Sequence, residues 1–457
     1  MDRSEGLSGV QTPPCIPRTS TAGTAESSDT SGEEENCLTE NRREERGRLV
    51  YDDAFFQKIE KEWYEDEIAG REEQTLVAKT VWIPVLLLVN LVNGFLKLCF
   101  VPISIIGSKL GLSISYRGFG KEVSTEKKKE SVVIIMFVTL FPLTVVAYFW
   151  TFVYLFFPLT SIPMLVYLLF IKFWDTRPED GSAVPRARYW GIWRHFANYF
   201  PVRVIKTADL DPERKYVFCY HPHGIIGIGA WGGFGSDACG FSRKFPGIDL
   251  RLLTLELNFW TPFIRELLIS MGVCSASKKS CNQILARGSG SAIMLVVGGA
   301  AESLDTEPGT YRLTLQRKGF VRVALDAGAE LVPVLGFGEN DVFSTAYYPP
   351  ESSQRKFQEF IRRKLGFATP VFWGRSIVTG NWGLLPHRKP VIVVVGKPIT
   401  LPKLPDHLKG AALSTTPEGR AMVDKYHDIY VKSLRELWDN FKNRLAMDRQ
   451  GSLRVVK

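Results

Sequence analysis

Two of the chain's six histidines stand in His221-Pro222-His223-Gly224, directly after the β-branched and aromatic run 215–220. Imidazole titrates near 6.5, so at neutral pH it can take a proton from a hydroxyl and return it to a leaving group. Pro222 fixes the backbone between the rings, and Gly224 admits close approach by a substrate or a positive φ. A pair satisfied structurally is the plainer alternative, and His-x-His on one strand face could also bind zinc. No third His or Cys cluster stands nearby, so no metal is expected. The second candidate, Val296-Val297-Gly298-Gly299-Ala300-Ala301-Glu302-Ser303, runs a strand into a glycine turn with an acid just beyond. Gly298 and Gly299, like Gly224, can turn backbone N–H groups toward a substrate oxygen, while Glu302 can orient an imidazole or hold a hydroxyl. Its plainer alternative is a capped helix start.

A third stretch runs from Arg317-Lys318-Gly319-Phe320 to Gly328 and on through Pro333 to Glu339. Phe320, Val323, Ala324 and Ala327 share one helical face, and Gly328 stops the helix. Arg317 and Lys318 at its start oppose the helix dipole, which suggests that they, with Arg322, Lys278 and Lys279, serve an anion brought from outside. A solvated charged face is the plainer reading. Gly227-Ile228-Gly229-Ala230-Trp231-Gly232 spells the dinucleotide fingerprint, but the acid required about twenty residues later is not convincing, so a nicotinamide cofactor is rejected.

These residues need a scaffold. Apolar runs at 215–220, 293–297, 331–335 and 391–396 read as strands covered on both faces, alternating with helices, which predicts an α/β fold. Pro417 opens a long helix whose stripe from Met422 to Phe441, Tyr430 included, packs on the sheet. The 457 residues sum to a net charge of +9, but residues 1–75 hold 19 Asp+Glu against 9 Lys+Arg. An acidic tail therefore precedes a basic body that expects an anionic partner. Residues 1–50 are too poor in large apolar groups to fold. Seven cysteines without a Cys-x-x-Cys pair read as thiols of a reducing compartment, and no cleaved secretory signal is expected.

Residues 51–130 divide into an amphipathic stretch from Tyr51 to about Ala78, suited to core or membrane surface, and the apolar Val81–Ile106, which could span, re-enter or lie at the interface. Val132 to Ile171 carries no charge over 40 residues, enough for two crossings of about 30 Å each. Pro158 and Pro163 supply the turn, and cations on both flanks put both ends in the cytosol. The expected division is a membrane hairpin at 131–174 and a cytosolic α/β domain at 175–457. A polytopic membrane protein is not expected.

Tyr199-Phe200-Pro201, His-Pro-His-Gly, Gly-Gly-Ala-Ala-Glu and the Arg-x-Gly-Phe stretch together resemble the type-2 diacylglycerol acyltransferases, within the group that includes monoacylglycerol and wax-alcohol acyltransferases. The likeness covers about Phe170 to Arg444. More remotely the block order is similar to the glycerophosphate acyltransferases, whose His-Asp dyad is missing here. The family implies a glycerolipid-acyltransferase-like sheet, acyl-CoA as substrate with no further cofactor, and a neutral lipid alcohol such as diacylglycerol as acceptor. It also implies an endoplasmic reticulum membrane location, with the lipid droplet as a second address. On this reading His223 or His221 is the base, Glu302 its partner, and the basic residues hold the CoA phosphates. Nucleic acid is not an expected partner, and self-association stays open. The non-enzymatic rival is a lipid-binding scaffold on an inactive acyltransferase fold.

Overall fold

The computed structural model describes residues 51, 53–72, 124–376 and 383–456. The expected disordered tail and the Val81–Ile106 segment lie outside these residues. Contacts divide the chain into two units, 1–56 and 57–457. A helix, Asp53–Glu72, falls in the stretch expected to be amphipathic.

Among the described residues there are eleven strands: β1 (Arg203–Lys206), β2 (Tyr216–His221), β3 (Asp249–Thr254), β4 (Cys274–Ser275), β5 (Ser291–Val296), β6 (Arg312–Thr314), β7 (Glu330–Phe337), β8 (Ser344–Ala346), β9 (Val371–Trp373), β10 (Ile392–Val395) and β11 (Arg454–Val456). Seven form one sheet in the order β1-β10-β7-β2-β5-β3-β4. From β7 to β4 neighbouring strands run parallel, while β10 pairs antiparallel with β7 and carries β1 alongside it. The sheet is thus mixed, with a parallel centre whose β2 and β7 are buried along their whole length. Burial on both faces explains their unbroken apolar character. The helix Pro417–Leu445 covers the sheet, burying Val423, Tyr430, Leu434, Leu437, Trp438 and Phe441.

The uncharged run forms two helices, Thr125–Phe156 and Pro158–Phe173, broken at Phe157. Pro158 takes the first position of the second helix, where its missing N–H costs nothing. Pro163, expected to share in the break, instead lies inside that helix. By length and composition, Thr125–Phe156 and the longer stretch Pro158–Asp180 that continues the second helix are apolar enough to cross a membrane. Their outer surfaces are strongly apolar, with Phe149, Trp150, Phe152, Leu159 and Ile162 exposed. The first helix does not give its whole run to that surface. Val133, Ile134 and Phe137 are buried in the main core, where Phe137 meets Phe196 edge-on at 4.9 Å. Farther along, Thr261 donates to the Tyr148 hydroxyl at 3.0 Å, and the Tyr167 hydroxyl donates to Glu266 at 3.0 Å. The α/β body therefore holds the first helix about three-quarters of the way along and the second near its middle, leaving about 12 to 14 Å of each beyond these contacts.

Candidate active site

β2, β5 and β7 all end at one edge of the sheet, and each delivers a motif there. β2 runs into His221 and the cis peptide bond to Pro222. β5 leads through Gly298 into the short helix Gly299–Ser303, and β7 leads through Gly338 to Glu339. The carboxyl edge of an open parallel sheet is where such folds place their ligands.

Glu302 is 2 % exposed, and its carboxylate draws three segments together. Oε2 accepts the His223 backbone N–H at 2.8 Å, and Oε1 accepts the Thr314 N–H from β6 at 2.8 Å. Oε1 also faces His221 Nδ1 at a long 3.4 Å. A Cβ on Gly298 would sit 1.8 Å from the Glu302 carboxyl carbon, so this glycine makes room for the carboxylate. Glu302 does not touch the His223 ring, contrary to its expected part as that ring's orienter: the carboxylate holds the backbone instead.

The two imidazoles differ. His221 has no exposed surface, and its Nε2 lies 3.1 Å from the Tyr430 hydroxyl. Since a carboxylate only accepts, Nδ1 carries the His221 proton, and Nε2 accepts from the Tyr430 hydroxyl, which also has the Cys219 carbonyl at 3.3 Å. His223 is half-buried, with Nδ1 3.2 Å from the Gly224 carbonyl and 2.9 Å from Ser303 Oγ. A carbonyl also only accepts, so Nδ1 is again the protonated nitrogen. That leaves the His223 Nε2 lone pair without a hydrogen-bond partner among the described residues. Burial pushes the His223 pKa below its ordinary 6.5 and keeps the ring neutral.

Glu339 braces the loop from beneath. It accepts from Tyr220 Oη at 2.7 Å, the Ile228 N–H at 2.7 Å and the Gly229 N–H at 2.8 Å. Full burial nevertheless pushes its pKa up to about 7. Gly224 has φ +58°, and a Cβ there would lie 2.8 Å from Glu339 Cγ. Its close approach is therefore to Glu339. Gly299, at φ +54°, has open space where a Cβ would stand, which leaves this backbone accessible.

The other motif residues have structural partners. Tyr199 is buried, donates to the Pro386 carbonyl at 2.7 Å and lies under the Arg388 guanidinium at 4.1 Å. Phe200, just before Pro201, accepts the Val391 N–H through its carbonyl, as Pro333 does the Gly396 N–H. Phe320 packs edge-on to Tyr430 at 4.9 Å. Gly319 opens the helix Gly319–Ala327, and Gly328 ends it at φ +63°. The helices Lys278–Leu285 and Gly319–Ala327 both lead into parallel strands, so their amino ends lie toward the site edge. Not all five cations are free there. Lys318 pairs with Asp424 at 2.8 Å, Arg322 donates to Ser414 at 2.9 Å, and Lys279 pairs with Glu179. Lys278 and Arg317 are exposed and have no ion pair among the described residues.

Ser303 and Tyr430 escaped the sequence reading as site residues. The first adjoined Glu302 in a quoted motif, and the second hid in an apolar stripe whose hydroxyl has no periodic signature. Among the described residues no group of three His, Cys, Asp or Glu could hold a metal ion.

A half-buried, neutral imidazole with one bare nitrogen, at the carboxyl edge of a largely parallel sheet, belongs to the α/β enzymes that can use acid–base chemistry for group transfer. The chain belongs to the diacylglycerol acyltransferase family, whose model matches residues 152–456, and it is an acyltransferase. It is 44% identical to diacylglycerol O-acyltransferase 2 of Dictyostelium discoideum over 63% of this chain and 85% of that protein. It is 42% identical to diacylglycerol O-acyltransferase 2A of Umbelopsis ramanniana, covering 66% and 86%. Human acyl-CoA wax alcohol acyltransferase 1 is 41% identical, covering 66% and 90%. No solved structure matches the chain.

Proposed function

We propose that the protein moves a fatty acyl group from acyl-CoA to the free hydroxyl of diacylglycerol, with His223 Nε2 as the base. The observation that carries this reading is the fixed tautomer: Gly224 and Ser303 hold the Nδ1 side, which leaves a lone pair at Nε2. Nε2 takes the hydroxyl proton as the oxygen bonds to the thioester carbonyl carbon. The accessible Gly299 backbone is suited to facing the oxyanion, a contact worth about 3 kcal/mol per donor in other acyl-transfer sites. As the tetrahedral centre collapses, the carbon–sulfur bond breaks and the imidazolium returns its proton to the CoA sulfur. Arg317 and Lys278 are the cations best placed for CoA phosphates, since their neighbours are engaged elsewhere. His221 acts as a positioning residue rather than a second base, because both its nitrogens have partners inside the protein.

The apolar hairpin supports insertion into the cytosolic face of the endoplasmic reticulum membrane, with both its ends in the cytosol. The free arms, about 12 to 14 Å long, match the nearer half of a core about 30 Å thick rather than two full crossings. An anchor that enters one leaflet also fits the monolayer of a lipid droplet. A long-chain alcohol is the second acceptor reading, favoured by the human wax alcohol relative. Purified full-length protein given labelled acyl-CoA with diacylglycerol, monoacylglycerol or a long-chain alcohol in parallel tests the proposal. Triacylglycerol should dominate the products, and wax ester as the main product would overturn the acceptor assignment.

A further inference from the structure

The helix Ser353–Leu365 is packed with its polar side inward. Ser352 caps its start and Gly366 its end. Arg355 is buried, donates to the Leu304 carbonyl at 2.7 Å and pairs with Asp305 at 2.9 Å. Gln358, also buried, donates to the Thr369 carbonyl at 2.9 Å. The outward face holds Phe357, 64% exposed, and Phe360, 55% exposed, with Phe367 exposed just past the cap. Beside these rings stand Lys356, Arg363 and Lys364, exposed and without an acidic partner among the described residues. A helix on a water-facing surface would be expected to carry its aromatic rings inward. Phenylalanines among unpaired cations suit a boundary between hydrocarbon and anionic headgroups.

The apolar surface does not stop at this helix. Leu255 Cδ1 lies 4.0 Å from the position a Cβ on Gly366 would take. Leu255 opens the loop after β3, which exposes Leu257, Trp260 and Phe263. Phe263 holds φ +67°, a strained conformation for a bulky residue, and stacks on Tyr167 of the hairpin at 6.2 Å. The loop leaves the same sheet edge as His221 and His223, and Arg355 ties the helix to the segment directly after Ser303.

We propose that the outward face of Ser353–Leu365, with the loop Leu255–Phe263, is a second membrane-docking surface that seats the active edge on the phospholipid headgroup boundary. It rests on the reading of the hairpin as a membrane anchor. Phe357 and Phe360 enter the outer acyl region, and Lys356, Arg363 and Lys364 meet lipid phosphates. The lipid acceptor then reaches His223 from the leaflet without passing through water.

Full-length protein in vesicles of phosphatidylcholine and anionic phosphatidylserine, brominated along the acyl chains, tests this by tryptophan quenching. Phe357→Trp should add emission that brominated lipid quenches, and Trp260→Phe should remove a quenched component. Added emission identical in brominated and plain vesicles, with no quenched component lost in Trp260→Phe, would overturn the proposal. Trp150→Phe reports the hairpin separately: if it too removes no quenched component, the anchor reading itself fails. Phe357→Ser with Phe360→Ser should lower transfer at limiting diacylglycerol in vesicles about tenfold. Their rate with acceptor dispersed in detergent should stay unchanged, and equal losses in both assays would assign the two rings a structural role.

Discussion

His221 and His223 leave the same strand two residues apart and live in opposite surroundings. The first is sealed between Glu302 and Tyr430, and the second keeps one nitrogen bare beside an accessible glycine. The contrast separates two duties within one tetrapeptide. His221, Glu302 and Thr314 hold the turn, and the turn presents His223. A motif in which every member looks chemical can thus spend most of its polar atoms on its own backbone.

Changes on the sealed side should act on stability, and Glu302→Ala should be the most severe. It strands the buried N–H groups of His223 and Thr314 at about 1–3 kcal/mol each, which should appear as a large fall in the thermal midpoint. His221→Ala should cost about 2 kcal/mol, since it leaves a cavity beside the Tyr430 hydroxyl, which keeps only the Cys219 carbonyl at 3.3 Å. Tyr430→Phe should cost about 1 kcal/mol and leave most activity in the folded fraction. A Tyr430→Phe protein that is stable but inactive would erase the division of roles.

The open side should respond to pH. The His223 pKa is depressed, so kcat/KM should be flat near neutrality and fall only below 6.5 as the base takes up a proton. An acid limb centred above 6.5 would contradict the assignment. Stability follows the same sign: an imidazole whose folded pKa is depressed loses its stabilising contribution as pH falls from the unfolded value. His195, which burial pushes down to about 4, adds to this loss between 6.5 and 4, readable as a lower midpoint at pH 5 than at pH 7.

The parallel centre of the sheet was legible because doubly buried strands leave continuous apolar runs: the expected 331–335 lies within Glu330–Phe337, and 215–220 overlaps Tyr216–His221. β1, four residues with Arg203 and Lys206 at its ends, and the two-residue β4 left no such run. The helix Ser353–Leu365 went unread although Phe357, Phe360 and Ile361 stand at helical spacing, and that spacing could not have told that Phe357 and Phe360 face outward. Within the site, residue types pointed to His221, His223 and Glu302. They could not say which ring was sealed, because Tyr430 arrives from 209 residues away in sequence. The glycines were found, but that Gly298 makes room for Glu302 and Gly224 for Glu339 was not legible, since each carboxylate arrives through the fold.

The central claim is that His223 Nε2 removes the acceptor proton, and the transfer rate of His223→Ala with and without added imidazole tests it most directly. The account predicts a midpoint close to that of the unmodified protein, a rate lower by about 10²–10⁴, and partial recovery with imidazole. A folded His223→Ala protein that transfers acyl groups at the full rate without imidazole would contradict it.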